Sequence, residues 1–249
     1  MSAEIVIVHL YPRELGINGD VGNVMALEQR ATWRGASVRV HNHDVGGELP
    51  EVAHMVHIGS GPRSGQELVL DDLSHIAATL REWSAQSVPF LAIAGGWQLL
   101  GHELVDADGV RHPGAGVFNS TALLTSHRAV GEVAAQSELG ELAGFENHGS
   151  VTTLAEDAVP LARTQRGHGN AAGSGPDADA AEGIIAGSRI GTNLHGPFLP
   201  MNPVWADWLL ERAAALAGVA LGDDATGQLG VADIYAEKSR RAIRDRLGL

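Results

Sequence analysis

Leu91-Ala92-Ile93-Ala94-Gly95-Gly96-Trp97-Gln98-Leu99-Leu100-Gly101 is the stretch that decides the fold of this chain. A short apolar run rich in branched residues breaks off at a glycine pair, and a helix-like segment follows. That is the sequence form of a buried strand turning sharply into a helix. The turn holds one residue above the sheet, with small neighbours because the backbone is tightly bent there. Enzymes place a nucleophile at such a tip. Here the tip is Ala94, which has no nucleophilic atom, and the chain contains no cysteine.

The flanking segments repeat the alternation of strand and helix. Residues 5–10 form a short run that is apolar except for His9, as in a strand buried on both faces. Asp20 is placed to cap a helix over 21–35, with Val24, Leu27 and Ala31 on one stripe and Gly35 ending it. Residues 37–43 alternate Val38 and Val40 with Arg39 and His41, which suits an outer strand. A strand over 55–58 stops at Gly59, and a helix over 66–86 carries Leu68, Leu73, Ile76, Leu80 and Trp83. The strand before Ala94 then leads into a helix over 96–104. This pattern predicts an α/β fold, a parallel sheet with helices on both faces.

The remainder is read more coarsely. Residues 129–133 suit one strand of an antiparallel hairpin, and the Gly-, Ala- and Asp-rich segment 167–181 reads as a mobile loop. A hairpin over 183–190 delivers residues 191–195. Residues 203–216 form an amphipathic helix with Trp205, Trp208, Leu209 and Ala213 inward. The charged helix over 232–247, with its sparse stripe of Ile234, Ile243 and Leu247, is expected to dock on the core or on a partner. The expected division is a domain over 1–218 and a helical tail over 219–249.

With 249 residues and 44% hydrophobic content, the chain can bury a sizeable core. Thirty acidic against 17 basic residues leave a net charge of −13. That disfavours nucleic acid or an anionic membrane as partner, since phosphates are bound chiefly by Lys and Arg. The first apolar run is too short for a signal peptide and no run reaches a membrane span, so a cytoplasmic protein without direct membrane insertion is expected. No motif supports a metal site or a nucleotide phosphate loop, and no cofactor is expected.

The elbow Ala94-Gly95-Gly96-Trp97-Gln98 resembles the Cys-x-Gly-x-Gln turn of the class I glutamine amidotransferases, with Ala94 in place of cysteine. Four more stretches extend the likeness: Gly19-Asp20-Val21-Gly22-Asn23, Gly59-Ser60-Gly61-Pro62, Phe145-Glu146-Asn147-His148-Gly149 and Asn193-Leu194-His195-Gly196-Pro197. Their order is similar to the cobyric acid synthase type, and within it to the glutaminase subunits of lipid II isoglutaminyl synthase. The resemblance implies a flavodoxin-like three-layer parallel sheet that hydrolyses L-glutamine. It also implies a heterodimer with a Mur ligase-like, MurT-type subunit, to which the ammonia passes for amidation of the D-glutamate of lipid II.

The same resemblance assigns the parts. Ala94 stands at the nucleophile position, where a cysteine would gain thiolate character from the helix N-terminus and an imidazole. His195 is the implied base; no Glu follows it two places later, as in the cysteine and histidine dyads of the cobyric acid synthase type. The oxyanion hole is expected from the N–H of Gly95 and one in the Gly59-Ser60-Gly61 turn. Gln98 and Arg128 are the implied grip on the substrate, a guanidinium suiting the α-carboxylate. The role expected of residues 145–149 is to hold the turn that brings His195 to Ala94, or to line the site with His148. Ala94 leaves two readings open: a glutaminase whose cysteine has been replaced, or a natural non-catalytic glutamine-binding or scaffolding subunit. A different acceptor, such as a corrin acid, is a further alternative.

Overall fold

The computed structural model describes residues 4–172 and 179–249. Its central strand is β4 (Phe90–Ile93), buried at all four positions. Parallel to it lie β3 (Met55–Ile58) and β12 (Arg189–Thr192), and beyond β3 come β1 (Ile5–Leu10) and β2 (Val38–His43). The hairpin partner of β12, β11 (Ile184–Ala186), is antiparallel and closes the other edge. The order is β11-β12-β4-β3-β1-β2, so the polar, alternating β2 is the outer strand that its pattern predicted.

Continuous apolar strands follow from a sheet covered on both faces. Side chains alternate between faces, and the alternation divides β1 and β4 between two cores. Ile5, Ile7, Leu91 and Ile93 join Leu27 of α1 (Val21–Trp33) and Trp205, Leu209 and Ala213 of α5 (Pro203–Ala217). Val8, Leu10, Phe90 and Ala92 join Leu73, Leu80 and Trp83 of α2 (Arg63–Ala85). This is the three-layer arrangement expected. Helix α1 ends as predicted: Gly35 is left-handed, its N–H reaches the Thr32 carbonyl, and Ala36 N–H reaches that of Ala31.

A second sheet grows from the long hairpin of β7 (Ser120–Ser137) and β8 (Gly140–Leu154), of which the sequence revealed only a fragment. It is extended by β5 (Glu103–Val105), β6 (Arg111–Pro113), β9 (Ala162–Arg166) and β10 (Ala181–Glu182). The two-residue strand β13 (Leu194–His195) pairs with β8. The helix after the elbow, α3 (Gly95–Leu100), is shorter than expected: Gly101 is extended and the chain turns into β5. The described part of the expected loop over 167–181 is hydrogen-bonded to the second sheet. His168 N–H bonds Glu146, and the Asn170 side chain brackets the backbone of Gly183; residues 173–178 lie outside the described residues.

The terminal helix α6 (Gln228–Leu247) docks on the core, although only Ala236 and Ile243 of it are buried. Arginines provide the attachment. Arg240 Nη1 donates to the Met201 carbonyl in α4 (Phe198–Met201) at 2.5 Å, and Arg244 reaches Gln165 and Glu141. From α1, Arg30 bonds Asp207 of α5 and Asp233 of α6. No helix among the described residues is long and apolar enough to cross a membrane.

Candidate active site

The tip of the elbow has the expected backbone. Ala94 lies at φ 42°, ψ −105°, a conformation costing an L-residue about 1–3 kcal/mol and found where geometry is fixed for function. Its N–H donates to the Thr192 carbonyl at 2.8 Å and its carbonyl accepts from Gln98 N–H at 2.9 Å. The bend holds because Gly96 has no side chain: a Cβ there would lie 2.4 Å from the Gly59 carbonyl oxygen. The elbow and the 59–61 turn are thereby pressed together. Above them is a cavity of about 420 Å³ whose wall includes Ser60, Gly61, Ala94, Gly95, Gln98 and Arg128. Candidates from three separate stretches thus line one space, whereas His195 is not among the lining residues.

His195 reaches this end of the sheet three residues after Thr192. Its Nδ1 is 2.9 Å from Asp20 Oδ1, with both side chains buried. An ionised carboxylate only accepts, so Nδ1 carries the proton and Nε2, which has no hydrogen-bond partner among the described residues, presents a lone pair. That is the tautomer a general base needs.

Asp20 is the residue that the sequence reading assigned elsewhere. It makes no cap bond; its second oxygen accepts the Ser60 N–H at 2.9 Å. One carboxylate therefore joins the histidine to the turn beside the elbow. Its neighbours explain the rest of the 19–23 motif. Gly22 leaves room for Pro197, whose Cγ would lie 2.6 Å from a Cβ there, and Asn23 Oδ1 accepts the Leu199 N–H. Motifs 175 residues apart thus interlock around His195.

This use of Ser60 narrows the oxyanion hole. Its N–H is committed to Asp20, whereas Gly61 lines the cavity, and the Gly95 N–H meets only the Ser60 hydroxyl, at a long 3.4 Å. Gly61 and Gly95 thus remain as backbone N–H groups on the cavity wall, while Gly59 packs beneath, against Leu15. For the grip, Gln98 Nε2 donates to Ser150 Oγ at 2.9 Å. Arg128 sits at a register break in β7, between Leu124 and Ala129, and such a bulge re-aims a side chain. It donates to Asn147 Oδ1 at 2.7 and 3.1 Å on the cavity wall.

The segment 145–149 lies in strand β8. Phe145 and Glu146 pair with His195 and Leu194, while Asn147 and His148 line the cavity. Glu146 is buried yet held below the usual carboxylate range, because bonds from His148 and His168 outweigh desolvation. Among the described residues, no group of three or more His, Asp or Glu could hold a metal ion.

A strained elbow, a buried histidine aligned by a carboxylate and backbone donors beside a cavity define a glutamine amidotransferase site in the three-layer fold of class I. Residues 6–203 match the CobB/CobQ-like glutamine amidotransferase domain, and the chain belongs to that family. It is similar to the lipid II isoglutaminyl synthase (glutamine-hydrolyzing) subunit GatD of Staphylococcus aureus (strain N315), being 34% identical over 218 residues, 87% of each chain. The GatD subunit of Streptococcus pneumoniae (strain ATCC BAA-255 / R6) is 31% identical over 214 residues, covering 84% of this chain and 80% of the relative. Among solved structures, a glutamine amidotransferase from Thermotoga maritima shares the fold with a TM-score of 0.53 at 12% identity, covering 98% of this chain and 95% of that one.

Proposed function

We propose that the cavity at Ala94 is an L-glutamine site and that this chain is the glutaminase-type subunit of a lipid II-amidating enzyme. It would pair in the cytoplasm with a Mur ligase-like, MurT-type subunit. The observation carrying this reading is the hydrogen bond of His195 to Asp20 beside a strained elbow that needs only a sulfur atom. With cysteine at position 94, His195 Nε2 takes the thiol proton and the thiolate attacks the carboxamide carbon. Gly95 and Gly61 N–H groups stabilise the oxyanion. The imidazolium returns its proton to the leaving nitrogen, giving ammonia and a γ-glutamyl thioester. Water, deprotonated by His195, then releases glutamate. Arg128 and Gln98 hold the amino acid end throughout.

Alanine at position 94 stops this sequence before its first bond and favours a second reading, a subunit that binds glutamine without cleaving it. Calorimetric titration with L-glutamine of the protein with Ala94, beside ammonia release by Ala94→Cys with and without a Mur ligase-like partner, tests both. Binding together with ammonia release supports the glutaminase reading. Binding without release in either form supports the non-catalytic one, and absence of binding overturns the assignment of the cavity.

A further inference from the structure

Bonded to the residues that lead into His195 lies a buried carboxyl group that the reaction above does not use. Glu182, at the end of β10, is fully buried. Its Oε1 accepts the Thr192 hydroxyl at 2.5 Å and the Asn193 N–H at 3.0 Å. The Thr192 oxygen in turn accepts the Leu194 N–H at 3.1 Å, and the Thr192 carbonyl takes the N–H of Ala94. Two of the three residues between the elbow contact and the base, Thr192 and Asn193, are therefore bonded directly to Glu182. Asn193 is fixed from the other side by its Nδ2, which donates to the Gly169 carbonyl at 3.2 Å.

We propose that Glu182 is a positioning residue for His195, setting the path of residues 192–194 so that the imidazole stands opposite the elbow. The proposal rests on the reading of His195 as the base. Asp20 orients the ring; Glu182 holds the backbone that carries it. The charged group facing Glu182 is Glu146 of β8, which is kept ionised by His168 and His148. Burial, with Glu146 adding to it, pushes Glu182 up to about 7 against the bonds from Thr192, Asn193 and Gly183. One carboxyl of the pair is thus neutral and the other charged near pH 6. Loss of the Glu182 proton sets two buried carboxylates against each other. Glu146 pairs with Leu194, so their repulsion acts on the strand pair that holds His195.

The test uses two independent readouts. In the protein with Ala94, the His195 ring is followed by NMR across pH 5–9 in the parent, Glu182→Gln and Thr192→Val. A second inflection near pH 7 is expected in the parent and should vanish in Glu182→Gln. Unchanged His195 signals in both variants overturn the proposal. In the Ala94→Cys form, Glu182→Ala should lower kcat tenfold or more with KM within twofold. Glu182→Gln should keep most of the rate and lose its decline above pH 7. A kcat within twofold for Glu182→Ala, or an identical pH profile for Glu182→Gln, also overturns it. If Glu182→Ala does not fold, Glu182→Gln and Thr192→Val decide. Absence of ammonia from Ala94→Cys itself would count against the glutaminase reading, while the NMR titration would still settle whether Glu182 governs the surroundings of His195.

Discussion

Asp20 carries two bonds with one carboxylate, and both make the same demand on any substitute. His195 Nδ1 and Ser60 N–H are both donors, so both oxygens must accept. Asparagine has one accepting oxygen. If that oxygen faces Ser60, its amide N–H groups face Nδ1 and force the wrong tautomer; if it faces His195, two donors meet at Ser60. In the Ala94→Cys background, Asp20→Asn is therefore expected to lower kcat roughly 10²–10⁴-fold, the scale of losing a correctly oriented general base. KM should change much less, because Arg128 and Gln98 do not touch Asp20. Steady-state ammonia release checks this, and a loss smaller than tenfold would show that the histidine is aligned by other contacts. The third partner was invisible in the sequence for a physical reason. Asp20 precedes a helix, where an acidic residue has an ordinary use as a cap, and the histidine it serves lies 175 residues away.

At the scale of elements, legibility followed burial. Strands β1, β3 and β4 were readable because both faces of the sheet are covered, which makes each mainly apolar, interrupted only by His9 in β1 and His57 in β3. Helix α5 was readable because Trp205, Leu209 and Ala213 make one stripe. The hairpin of β7 and β8 was seen only in part, since the alternating buried positions of β8 are the polar Glu146, His148, Ser150 and Thr152, which leave no hydrophobic period. Helix α6 looked weakly packed because its attachment is by guanidinium groups, which hydrophobic periodicity does not report. Arg30 is the clearest case: its side chain is 6% exposed, while its partners Asp207 and Asp233 are 32% and 42% exposed. Removing the arginine leaves two carboxylates that water can solvate. Removing both carboxylates leaves a buried cation alone, which costs about 3–5 kcal/mol in comparable cases. Chemical denaturation should therefore find Asp207→Ala/Asp233→Ala clearly less stable than Arg30→Met; the reverse order would show that packing of the arginine stem, not its charge, joins α1, α5 and α6.

For the whole molecule, the buried titratable groups set a pH profile of stability whose sign can be worked out. His9 and His57 stack at 5.1 Å in the interior. Burial lowers His9 from 6.5 to about 4. Burial and then the neighbouring His9 lower His57 to about 3, against the carbonyls of Leu91 and Asp20. Between those values and 6.5 the unfolded chain binds more protons than the native one, so each histidine makes stability rise with pH. Glu182 acts in the opposite sense. Its ordinary value of 4.5 is raised to about 7, so from 4.5 to 7 the native state holds a proton that the unfolded chain has released, and stability falls with pH. Where the windows overlap, two histidines oppose one carboxyl, leaving a net slope of about one proton, or about 1.4 kcal/mol per pH unit. Thermal unfolding should accordingly show Tm climbing from pH 4.5 to a maximum near 6.5 and slipping slightly by pH 7. Glu182→Gln removes the opposing group, so its climb should steepen and the slip disappear. A flat or falling Tm in the parent between pH 4.5 and 6.5 would mean that the two histidines are protonated in the native state, and that the interior beneath the elbow admits water.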